Sequence, residues 1–249
     1  MKKILLASVL TSASLSGMAA DSIDIKVIGT INPTACTPSA SGGGVVDYGN
    51  IKPSALSATG TTVLDVKTLA FSIQCTGETN VTLRANSNRG TAADAGPANT
   101  TGASKLTDAT TLSNMIANIP YSVTVINPDV MGLGTGSDGK DIGGYMMLLP
   151  TSLVTLDGDI ATRRFYASGT LDKNTVWGVE NNESSHGGSM NSAETYFSYS
   201  TDNTASKPQA FKTLLGTLII RGYITDKSNL DLTQPINLDG SSTIELYYF

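Results

Sequence analysis

The sequence predicts an all-β chain folded as a β-sandwich, and two observations lead there. Apolar and β-branched residues alternate with polar ones in short runs, and clusters of Gly, Asn, Asp, Ser, Thr and Pro separate those runs. Runs at 22–31, 45–48, 63–75, 79–85, 121–126 and 145–149 read as strands, followed by 163–167, 175–179, 195–199, 214–225 and 243–248. With so many short strands, a sandwich buries an inner face of each sheet, and a helical bundle is excluded.

The first residues are of another kind. Lys2 and Lys3 precede an uncharged apolar stretch over 4–15, and small residues follow at Gly17, Ala19 and Ala20. This is the pattern of a secretory signal peptide over 1–19, with the mature chain starting at Ala20. The alternative, a membrane anchor, needs about 20 apolar residues, more than this stretch supplies. The remainder divides into an arm with the first strand, 20–31, and a single sandwich domain, 32–249. Charged residues make up 15%, the net charge is -5 and the 16 Lys and Arg form no basic block, so no nucleic-acid partner is expected.

Export frames the two cysteines. Cys36 and Cys75 lie 39 positions apart, and an oxidising compartment favours joining them in a disulfide. The alternative, a redox or metal pair, lacks neighbouring Cys and His ligands.

Two polar stretches, 86–111 and 181–192, read as long surface loops burying little apolar area, with helical turns around 112–116. The only histidine, His186, sits in the second and reads as a solvated loop residue, because no nucleophile on a rigid turn and no orienting acid accompany it. The glycine-rich stretch 132–139 lacks the lysine and the strand-to-helix setting of a phosphate cradle, and reads as a flexible loop. Asp138 and Asp141 do not recur at the spacing of a calcium loop. The chain is therefore read as not an enzyme, with no cofactor and no metal.

The ends of the chain carry the sharpest signal. Ile23, Ile25 and Val27 alternate with Asp24 and Lys26, Gly29 and Ile31 follow, and Cys36 comes seven residues after Gly29. After the first cysteine comes Val45-Val46-Asp47-Tyr48-Gly49-Asn50-Ile51, then Leu69-Ala70-Phe71-Ser72-Ile73-Gln74-Cys75 with the second, and the chain closes on Thr243-Ile244-Glu245-Leu246-Tyr247-Tyr248-Phe249. In this order and spacing the chain resembles the chaperone-usher fimbrial (pilus) subunits, as a larger member whose middle is unmatched.

That resemblance implies an incomplete immunoglobulin-like sandwich, missing its last strand and carrying long loop insertions, with a hydrophobic groove beside the C-terminal strand. The sequence ends directly after that strand, consistent with an uncovered edge. It further implies export through the periplasm to the cell surface, and three kinds of partner. A periplasmic pilus chaperone lends a strand against Ile244, Leu246 and Tyr248. An outer-membrane usher and neighbouring fimbrial subunits follow, and the arm of the next subunit replaces the chaperone's strand. Ile23, Ile25 and Val27, with Gly29 behind them, are the donor residues so implied.

The competing readings are an ordinary first strand for 22–31 and an ordinary edge strand for 243–248. Asp21, and the short run before Gly29, make the arm lean, which fits a minor, weakly polymerising or terminal subunit. The functional alternative is an adhesive minor or tip protein whose long loops hold a host or surface glycan.

Overall fold

The computed structural model describes residues 35–120, 129–172, 174–180, 189–190 and 195–249. The signal segment, the arm with Ile23, Ile25, Val27 and Gly29, the strand expected over 121–126 and His186 lie outside the described residues. Regular structure begins with β1 (Cys36–Ala40), β2 (Thr62–Val63), β3 (Lys67–Thr79), β4 (Val81–Ser87), β5 (Ala95–Ala98) and β6 (Ser104–Leu106). Helix α1 (Ala109–Ile116) leads to β7 (Asp129–Gly132), β8 (Gly143–Leu148), β9 (Val154–Leu156), β10 (Asp159–Ile160) and β11 (Arg163–Ser168). The last strands are β12 (Gly178–Glu180), β13 (Thr195–Ser200), β14 (Phe211–Ile224) and β15 (Ser242–Tyr248).

The fold is all-β, in two antiparallel sheets. The first runs β1-β3-β14-β8-β7-β6-β5, with β2 and β9 also pairing along β14 and β10 on β9; the second runs β12-β11-β13-β4-β15. Alternation explains the long strands. In β3, Phe71, Ile73 and Cys75 are buried while Gln74 between them is exposed, and each such aliphatic or aromatic side chain contributes about 1.5–3 kcal/mol. A shared core joins the sheets: Phe71, Ile73, Met147, Leu214 and Leu218 from the first meet Val81, Leu83, Ala85 and Tyr199 from the second.

Cys36 and Cys75 face each other across β1 and β3 and form a disulfide. Closing a loop of this length removes about 4 kcal/mol of unfolded-chain entropy.

Among the described residues, both polar stretches differ from expectation. Residues 86–111 fold into β5 and β6, run on into α1, and cover the far face of the first sheet, where Leu106, Met115 and Ile119 pack on Met146, Leu148, Ile219 and Tyr223. β8 is consequently buried on both faces. The Asp108 side chain accepts the Thr111 N–H at 2.6 Å and starts α1. In the second stretch, Ser189 and Met190 are buried. Met190 N–H donates to the Met147 carbonyl in one sheet, while its own carbonyl accepts from Ala85 N–H in the other. The Arg164 guanidinium donates to the Ser189 carbonyl, pairs with Glu180 and lies 3.7 Å from the Phe197 ring centre. A few apolar atoms and paired backbone groups suffice to bury these two residues within a stretch that composition marks as polar.

Residues 132–139 form a turn between β7 and β8. Gly136 N–H donates to the Lys140 carbonyl at 2.8 Å, and Thr135 bridges to Asp141.

Candidate functional site

β15 lies at an edge of the second sheet, and among the described residues it pairs only with β4. Its register sets Ile244 opposite Ala85, Leu246 opposite Leu83 and Tyr248 opposite Val81. The three β4 residues are fully buried, whereas Ile244 and Leu246 are half-buried and Tyr248 is 47% exposed. All six share the core-facing side, so the contrast comes from position: β4 has neighbours on both sides, β15 on one.

The opposite wall is the stretch after β1. Residues 45–48, expected as a strand, join no sheet among the described residues. Val45 is 68% exposed, and Val46 packs on the shared core. Between this wall and residues 230–242 open two cavities of about 660 and about 400 Å³, which share Val46, Tyr48 and Leu238 in their linings and so form one groove. Leu56, Ile142 and Ile224 floor the larger cavity; Leu69, Met147 and Ile220 floor the smaller.

The rims carry unused backbone. Among the described residues, no main-chain to main-chain hydrogen bond involves Val46, Asp47, Tyr48, Asn50 or Ile51 on one rim, or Gln234, Ile236, Asn237 or Leu238 on the other. Such groups need a partner, in water or in another strand.

The walls themselves are fixed. Tyr48 OH accepts from Gly222 N–H at 3.1 Å, and burial raises its pKa above the usual phenol value. Asp47 Oδ1 accepts Gly49 N–H at 2.7 Å, turning the chain at a glycine with φ of 64°. On the other wall Asp239 N–H donates to the Leu133 carbonyl at 2.9 Å, and Arg89 grips the Asp239 carbonyl at 2.8 Å and its carboxylate at 2.9 Å. Arg89 belongs to the stretch expected to be a loop, so that insertion braces the groove.

At the end near β1, Tyr248 OH accepts Cys36 N–H at 3.0 Å, spanning from the second sheet to the first. On the outer face of β15, Arg84 donates to Glu245 at 3.1 Å and to Tyr247 OH at 2.6 Å, and lies between the Tyr196 and Tyr247 rings at 5.0 and 5.1 Å. The Tyr247 hydrogen bond, with help from Asn86 and Arg84, holds the Glu245 carboxyl below its usual range. Desolvation first, and Glu245 second, push the Tyr247 phenol up to about 12. This network pins β15 to β4 and leaves its other edge open.

Of the residues singled out in the sequence, Ile244, Leu246 and Tyr248 lie together along the open strand, and Cys36 and Cys75 are bonded beside it. The floor residues Leu56, Ile142 and Ile224, and Leu238 on the rim, escaped notice. Each reads as ordinary core, and only the fold brings them to one opening. No group of three or more His, Cys, Asp or Glu able to hold a metal occurs among the described residues.

A family model described as a protein of unknown function (DUF1120) matches residues 25–146, which include Ile25, both cysteines and the 45–51 wall. Protein GltF of Escherichia coli (strain K12) is 41% identical over 86 residues, 32% of this chain and 34% of that protein. The uncharacterized protein YhcF of the same strain is 28% identical over 142 residues, 57% of this chain and 56% of that protein. The chain thus spans about a third and just over half of the lengths of these two relatives.

Proposed function

We propose that this chain is an exported structural subunit of a chaperone-usher fimbria, with an incomplete immunoglobulin-like sandwich that takes a β-strand from another protein into the groove beside β15. One observation carries the reading. Two stretches without main-chain partners among the described residues, 46–51 and 234–238, flank a groove with an apolar floor and polar rims, and β15 runs on from its end at Ser242 with Ile244 and Leu246 half-covered. An extended strand laid there gains main-chain hydrogen bonds on its edges and pockets for alternate side chains, the strand-addition mode by which pilins are completed.

The occupant is first a periplasmic chaperone's strand, then the N-terminal arm of a neighbouring subunit. Ile23, Ile25 and Val27 have the alternation such an occupant requires. At about 1.5–3 kcal/mol each, three buried side chains give about 5–9 kcal/mol before ordering costs, comparable to the stability of a whole domain at about 5–15 kcal/mol. Nothing in this role calls for catalysis.

Co-expression with a cognate periplasmic chaperone tests the reading. We expect soluble full-length chain only with the chaperone, and no rescue of a chain ending at Thr243. Equal yields of stable monomer from both chains without a chaperone would overturn it.

A further inference from the structure

Among the described residues, the far face of the first sheet is covered at one end, where Leu106, Met115 and Ile119 pack on Met146, Leu148, Ile219 and Tyr223. At the other end the strand registers set one row across five strands. Ser39 of β1 lies opposite Ser72 of β3, Ser72 opposite Leu215 of β14, Leu215 opposite Thr155 of β9, and Thr155 opposite Ile160 of β10. Opposed residues share a face, and the chain neighbours Ile73, Leu214 and Leu156 are buried in the shared core, so this row points away from it. Leu215 is 48% and Ile160 63% exposed, with only Thr155 between them. A lone exposed aliphatic is ordinary; two in one row of an open sheet face form a patch. The rows alongside pair Gln74 with Thr213 and Ala70 with Thr217, and no side chain in the three rows is charged. Part of their polarity is met within the face, where the Ser39 and Ser72 hydroxyls lie 2.8 Å apart and the Thr213 hydroxyl donates to Gln74 Oε1 at 3.1 Å. At the corner, the Asp157 carboxylate accepts the Lys212 and Thr213 N–H groups at 3.1 and 2.7 Å.

We propose that this face docks on the same face of a second copy of the chain, about a two-fold axis at Leu215. Charge selects the occupant. Each copy carries a net charge of -5, so long-range repulsion opposes contact between copies, and a face without charge adds none at close range. A two-fold contact must be complementary to itself, as an uncharged sheet face is to another stacked about 10 Å away. Leu215 is the third of five residues in its row and the middle one of 213, 215 and 217 along β14, so the axis sets the exposed leucine against the partner's Leu215 at the centre of the contact. Depletion of charge at the centre is also the compositional mark of an interface core. Size fixes the strength. Five strands about 4.8 Å apart and five residues at about 3.3 Å give a footprint of about 400 Å² per copy. The two copies together bury about 800 Å², less than the about 1,200–2,000 Å² of a stable complex, so the contact is weak and reversible.

The test uses the full chain and holds whether the groove is empty or filled, because Leu69 in the groove floor and Ala70 on this face lie on opposite sides of β3. Both native cysteines are joined, so Leu215→Cys supplies the one free thiol. Val176→Cys, ahead of β12 in the second sheet and 89% exposed, is the control. Rates of covalent dimer formation under mild oxidation are divided by each thiol's reactivity toward a small disulfide reagent. We expect Leu215→Cys to dimerise at least about tenfold faster than Val176→Cys despite its lower exposure, because the contact raises the local concentration of the partner thiol. Adding Ile160→Lys should remove that excess with the circular dichroism spectrum unchanged, and Ser39→Lys at the other end of the row should do the same. Equal rates for the two thiols would overturn the proposal, and so would an excess that both lysine variants leave in place.

Discussion

Leu83 and Leu246 face each other across β4 and β15 on the same side of one sheet, yet only Leu83 is sealed. Truncating each to alanine separates an ordinary edge strand from a strand awaiting a neighbour. Leu83→Ala removes fully buried atoms and leaves a cavity, costing about 2–5 kcal/mol. Leu246→Ala removes atoms that are half in water, so about half of a leucine's 1.5–3 kcal/mol is at stake, about 1 kcal/mol. Both variants are purified as chaperone complexes and measured after release, and addition of a synthetic peptide of residues 21–31 then changes the balance. If its strand lies along β15, Leu246 becomes buried, and the other half of its contribution is transferred to binding. Peptide affinity should then fall about fivefold in Leu246→Ala, with 1.4 kcal/mol equal to tenfold. Urea titrations with and without peptide read both quantities: the midpoint gap between the variants narrows when peptide is present. A Leu246→Ala chain that binds peptide as the wild type does, or that loses as much stability alone as Leu83→Ala, would refute the reasoning.

Other expectations follow from contacts elsewhere in the fold and from the proposed role of the arm. Replacing Cys36 and Cys75 together by alanine should lower unfolding stability by about 4 kcal/mol, and reductant should then have no further effect on the urea midpoint. Arg164→Met should cost about 3–5 kcal/mol by denaturation because Glu180 loses its guanidinium in a fully buried site, and Arg164→Met with Glu180→Leu should recover most of it. The Glu245 carboxyl has a folded-state pKa below its usual 4.5, so its contribution is full above that value and is lost as pH falls through the lower folded value. Glu245→Gln should flatten the fall in urea midpoint between about pH 5 and 3 and change little of the pH dependence at neutral pH. In the arm, Ile25→Asp should block incorporation into fibres, read by electron microscopy, while leaving chaperone co-purification intact.

The strands rich in β-branched and aromatic residues were legible in sequence: β3, β4, β11, β13, β14 and β15 match expected runs within a few residues. β1 was not legible. Its residues Cys-Thr-Pro-Ser-Ala bury almost nothing, and pairing to β3 with the disulfide holds it where periodicity does not. Residues 45–48 fail in the opposite sense, having the alternation of a strand and no partner. Met190 illustrates a third limit. One apolar side chain in an Asn, Ser and Gly background gives no periodic signal, yet it is fully buried between the sheets. The candidate site divides likewise, since β15 announces itself through Ile244, Leu246 and Tyr248 while the floor is assembled from residues far apart in sequence.

The disulfide also determines how the molecule carries a pull. Tension applied to the chain ahead of Cys36 reaches that residue and crosses the sulfur bridge to Cys75 in β3, which pairs with the long strand β14 over most of its length. The 37–74 stretch is bypassed, and the 45–51 wall lies inside it. Such a load therefore enters the most extensively paired part of the first sheet, and one wall of the groove lies off the line of force, free to keep its place while the chain is stretched.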